Sequence, residues 1–123
     1  MPAAVAGDGA LNIPAGATTN QTGADMTSPA ARGIKVVVVT TVIGTGSITV
    51  TIQGKDKASG TYYVILASAA ITTNATTILS VYPGAPVTAN VSANDALPAT
   101  WRILVTANNA NPASYTVGFS TLA

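Results

Sequence analysis

Three of the nine formal charges in this chain fall side by side at Lys55, Asp56 and Lys57, within GKDKASGTYYVIL (54–66) and just ahead of Tyr62 and Tyr63. A lysine near a serine and a carboxylate is a group that forms Schiff bases. As a Ser–Lys pair, for instance Ser59 with Lys57, it can also activate a hydroxyl. Either use requires the amine to shed its proton near neutral pH, through desolvation or a neighbouring base. Nothing near this stretch in the sequence supplies one. Glycine brackets it on both sides and strand-like residues flank it, so it reads as an exposed hairpin tip. Lysines there solvate easily and discourage edge-to-edge pairing.

Other routes to chemistry are narrow. The chain has no histidine, no cysteine and no glutamate, which removes the commonest general base, the usual zinc ligands and any disulfide. Its acids are Asp8, Asp25, Asp56 and Asp95. They are too scattered to suggest a carboxylate pair or a calcium loop of alternating acids. GDG (7–9) and GTG (44–46) lack the strand-before, helix-after setting of a phosphate loop and read as turns. NQT (20–22), NAT (74–76) and NVS (90–92) match the glycosylation pattern at the frequency this composition produces by chance. Tyr62, Tyr63, Tyr82 and Tyr115 are candidates for stacking on sugars, though in a sandwich tyrosines more often place the ring in the core and the hydroxyl at its edge. The expectation is a non-enzyme with no catalytic residue, no metal and no cofactor.

Composition narrows the partners. Charged residues make up 7% of the 123 residues and the net charge is +1. That surface neutralises few phosphates, which argues against nucleic acid. It also does little to hold copies apart, which favours life in an assembly. IKVVVVTTVIG and YYVILASAAI are too short to span a membrane. The opening MPAAVAGDGALNIPAG has neither the positive start nor the continuous apolar run of a secretion signal. A soluble protein made in a cytoplasm is expected.

The elements that position these residues are read from periodicity. Residues 1–32 are rich in Ala, Gly, Thr and Pro and carry no apolar period. They read as an extended N-terminal arm, mobile in the free chain, with Leu11 and Ile13 as apolar anchors that pin it to a partner. From residue 33 to 123 the pattern is β. IKVVVVTTVI (34–43) is nearly all β-branched, and SITVTIQ (47–53) alternates with Ile48, Val50 and Ile52 on one face. Further strands are expected at 61–70, 76–83, 100–107 and 115–122, with a short one within 86–98. Trp101, Ile103 and Val105 share a face, as do Tyr115, Val117 and Phe119, which makes Trp101 and Phe119 the natural centre of a core. Six or so strands at hairpin spacing make an all-β, antiparallel β-sandwich or barrel, immunoglobulin-like or jelly-roll-like.

The pieces GKDKASGTYYVIL, VYPG, NDALPATWRI and SYTVG, in that order over residues 54–118, resemble small decoration or minor capsid proteins of tailed bacteriophages. No single piece is diagnostic; their order is what matches, and the arm and first strands have no counterpart. The resemblance implies a structural protein on the outer surface of a virion capsid. Its partner would be the major capsid protein, with Leu11 and Ile13 buried against that capsid or a sister subunit, and it would act as a homo-oligomer; the low charge and the β-branched strands such as IKVVVVTTVI favour a trimer. The alternative is a carbohydrate-binding or adhesin-like sandwich module.

Overall fold

The computed structural model describes residues 8–28 and 31–122. The described chain is all-β, in ten strands: β1 (Asp8–Ala10), β2 (Gln21–Thr22), β3 (Met26–Thr27), β4 (Gly33–Val42), β5 (Ile48–Lys55), β6 (Tyr62–Ala67), β7 (Thr76–Tyr82), β8 (Ser92–Asn94), β9 (Thr100–Ala107) and β10 (Ser114–Leu122). They form two five-stranded sheets. The first runs β1-β10-β4-β7-β8; the second runs β2-β9-β5-β6, with β3 also on β9. Every pairing is antiparallel except β7 with β8.

Alternation decides which residues meet between the sheets. β4 turns Ile34, Val36 and Val38 inward, β7 Leu79 and Val81, and β10 Tyr115 and Val117. The second sheet answers with Ile48, Val50 and Ile52 from β5 and Trp101, Ile103 and Val105 from β9. All belong to one buried cluster, with Phe119 partly buried against it. This is the expected sandwich, with its centre at Trp101.

Hairpin spacing misleads about connectivity. Only β5 and β6 are consecutive strands paired as a hairpin within one sheet, and their connecting residues 56–61 are all exposed. From β4 onward the chain changes sheet between β4 and β5, β6 and β7, β8 and β9, and β9 and β10. Each of those four connections buries an apolar residue in the core: Ile43, Ile71, Leu97 and Ala113 in turn. These residues plug the ends of the sandwich, which a solvated hairpin tip cannot do. Ile71 also exchanges two backbone hydrogen bonds with Ile48, at 2.7 and 3.1 Å.

The N-terminal stretch differs from the expectation of an arm free of its own domain. β1 lies on β10 and Leu11 N donates to Val117 O at 2.9 Å. Ala17 and Ala113 exchange hydrogen bonds of 2.9 and 3.0 Å, after which β2 and β3 follow β9. Residues 8–28 thus close one side of both sheets. The expected boundary between residues 32 and 33 does not separate the described part of the arm from the sandwich. Leu11 and Ile13, expected against a capsid or a sister subunit, pack on the chain's own core beside Ala17 and Met26. The pairing is made by backbone groups, which explains why no apolar period announces it. What was expected of residues 1–7, 29 and 30 lies outside the described residues.

Candidate functional site

On the outer face of the second sheet, side chains from three strands and the arm converge. β5 and β9 are in register with Gln53 opposite Arg102, and β5 and β6 with Lys55 opposite Tyr62. Because Ile52 and Trp101 point inward, Gln53 and Arg102 must point out. Arg102 Nε donates to Gln53 Oε1 at 2.7 Å, which orients the guanidinium. Its Cζ then sits 3.5 Å from the centroid of the Tyr62 ring, and Lys55 Nζ sits 5.4 Å from the same centroid. Both cations favour the electron-rich ring.

Asp25, in the break between β2 and β3, completes the group. Its carboxylate accepts from Tyr62 OH at 2.6 Å and from Lys55 Nζ at 3.0 Å. The phenol hydrogen bond first, and the ammonium second, hold the Asp25 carboxyl below its ordinary value. Reciprocally, the carboxylate raises the Lys55 amine. An amine held protonated is a poor nucleophile, so the arrangement suits gripping the arm rather than attacking a substrate. It is also an exposed ion pair, weak on its own and strengthened here by the phenol.

The charged triplet is divided by the structure. Lys55 ends β5 and faces Asp25, whereas Asp56 and Lys57 lie in the exposed loop. Asp56 Oδ2 accepts from Ser59 Oγ at 2.6 Å and from Ser59 N at 3.1 Å, and these bonds lower its carboxyl. The Ser59 hydroxyl is therefore spent in capping the turn. Gly60 closes that turn at φ 74°, donating to Asp56 O at 2.7 Å. Lys55 was expected at a solvated tip. It is instead in an ion pair because Asp25, thirty residues earlier, is brought to it by the arm.

The two expected contact residues, Leu11 and Ile13, line a surface cleft of about 270 Å³ with Gln21, Gly23 and Met26, between the two limbs of the arm. Asp25, Gln53 and Arg102 were not singled out from the sequence. Alternation alone placed Gln53 and Arg102 on outward faces, but no local pattern linked Asp25 to them. Among the described residues no group of three or more metal-binding side chains converges, and no helix is long and apolar enough to cross a membrane.

One further surface stands out on the first sheet. In register across its outer side lie Ala10, Gly118, Val37 and Ile78, and beside them Thr116, Val39 and Thr76. The next row is Asp8, Ser120, Lys35, Ser80 and Ser92, in which Lys35 is the one charge among the residues whose side chains are described. Val39 is 36% and Ile78 45% exposed. Compared with protein-family models and with curated proteins, the chain matches no family and no relative.

Proposed function

We propose that this chain is a structural virion protein that binds and stabilises the outer surface of a tailed-phage capsid. The observation that carries the reading is the outer face of the first sheet, built mostly from small and β-branched side chains, with its charged residues confined to one row. Exposed apolar patches of this kind mark surfaces that meet another protein. Contacts weak in one copy become strong when repeated over a shell. The ordered likeness of residues 54–118 to phage head proteins supports the same role and names the major capsid protein as the partner. The test is co-sedimentation with capsids lacking this protein. Val39→Lys together with Ile78→Lys should abolish binding while leaving the circular dichroism spectrum intact; undiminished binding of the native chain to unrelated shells would defeat the reading.

A second reading, carbohydrate binding, is favoured by Tyr82. It is 36% exposed beside Arg32 in a cleft with Gly33, Pro83 and Leu122. An aromatic ring next to a hydrogen-bond donor is a sugar-stacking arrangement. Tyr62 is less suited, because the Arg102 guanidinium lies over its ring. Glycan binding that disappears in Tyr82→Ala would favour this reading over the first.

A further inference from the structure

The arm contributes strands to both sheets through short ladders and mostly backbone contacts. Its ladders are two or three residues long, and its anchors Leu11, Ile13 and Met26 are only partly buried. Most of its polar contacts are backbone hydrogen bonds to β9, β10 and the segments beside them. Its ionic grip is Asp25 on Lys55, reinforced by Tyr62. Without the arm, β9 and β10 would present unpaired edges on the same side of the sandwich, open to pairing with another strand.

We infer that the arm exchanges between copies: in the associated protein, residues 8–28 of one chain pair with β9 and β10 of a second. Every copy carries the same two edges and the same Lys55–Tyr62–Arg102 group, so an exchanged arm recovers its register and its Asp25 contacts without any new surface. Exchange of an identical element is a low-cost route to an oligomer. The connection to β4 is short and anchored at both ends. Ser28 N donates to Ala99 O at 2.8 Å, Ala31 N to Ser28 O at 3.1 Å, and Arg32 N to Leu122 O at 2.7 Å. Short hinge loops between anchored elements are where such exchange arises. The low net charge opposes the approach of a second copy very little. Partner and surface are set by the arm's own register, so the inference goes beyond the capsid reading and is tested in solution without capsids.

The cysteine-free chain makes the test direct. Thr22 and Leu104 are register partners between β2 and β9, and Thr27 and Thr100 between β3 and β9. Full-length Thr22→Cys, isotopically labelled, is mixed with unlabelled full-length Leu104→Cys, concentrated, and oxidised. Exchange yields a covalent dimer of one labelled and one unlabelled chain, read by intact mass. The second experiment places both cysteines in one chain and oxidises it when dilute, locking the arm at home. The locked protein should then sediment as a monomer under conditions where the unmodified chain associates. Absence of the mixed dimer overturns the inference, as does a locked protein that associates like the unmodified one. If the Leu104 variant fails to fold, the pair Thr27→Cys and Thr100→Cys makes both measurements.

Discussion

Trp101 of β9 and Phe119 of β10 meet edge to face between the two sheets, with ring centroids 5.0 Å apart and planes at 84°. Edge-to-face pairs add to the burial of the rings themselves. The pair also couples the sandwich to the arm, because Gly9 of β1 lies so close to Phe119 that a Cβ there would overlap the ring. Trp101 pairs with Met26 on its other side. The centre of the core is thus shared by the two sheets and both limbs of the arm.

Truncating Trp101 to alanine is expected to cost about 3–5 kcal/mol, the range for removing a large buried aromatic. Trp101→Phe should cost clearly less. It keeps most of the apolar volume and removes the indole Nε1, which is buried with no hydrogen-bond partner among the described residues. An orphaned donor of this kind costs about 1–3 kcal/mol. Urea unfolding of the two variants checks the order; a Trp101→Phe loss as large as that of Trp101→Ala would overturn it.

Gly54 makes room for Tyr63. A Cβ on Gly54 would lie 2.5 Å from Tyr63 Cζ and 2.8 Å from Pro98 Cγ. Gly54→Ala should therefore destabilise by about 1–3 kcal/mol, as overpacking does. Tyr63 is 44% exposed and able to give way, so adding Tyr63→Ser should recover part of the loss. Gly33→Ala, by contrast, meets the carbonyl of Val81 at 2.5 Å and should resist such rescue. Thermal denaturation of the single and double variants separates the two cases.

Burial pushes the Tyr115 phenol up from 10.0 to about 12. The folded chain prefers the neutral phenol, so this contribution is complete below the unfolded value and is lost as pH rises through the folded one. Stability should fall between roughly pH 10 and 12, and Tyr115→Phe should flatten that fall. Unfolding midpoints measured across the alkaline range make the comparison.

The lowered Asp25 carboxyl carries the opposite sign. Its grip on the arm is complete above the ordinary carboxylate value of 3.8 and is lost as pH falls through the lower folded value. Amide exchange of residues 21–28 should quicken in that acid range, while exchange in β4 stays slow. Asp25→Asn should show quick exchange in the arm already at neutral pH. Exchange in the variant that is unchanged at neutral pH would remove Asp25 from the role of clasp. The acidic side of the profile also contains Asp56, lowered by its bonds to Ser59. For that reason the readout is local to the arm rather than global stability.

Much of the sandwich is legible in the sequence because side chains report which face of a strand they occupy. Ile48, Val50 and Ile52, and then Trp101, Ile103 and Val105, announce their burial by alternation alone. Partner choice is less visible. Ile71, Leu97 and Ala113 look like loop residues until it is known that the chain crosses between sheets there. The arm is the extreme case. Backbone N–H and C=O groups do most of its pairing, and these are the same in every residue. The site follows from this: the faces of Gln53 and Arg102 are predictable, but the arrival of Asp25 depends on a pairing that leaves no pattern behind.

The arm sits at one end of the sequence and its partners at the other. β1 waits for β10, and β2 and β3 wait for β9. During synthesis the arm therefore leaves the ribosome well before β9 and β10, and it stays uncovered until they follow. Its scarcity of large apolar side chains has a use in that interval: a segment with little to bury has little with which to aggregate.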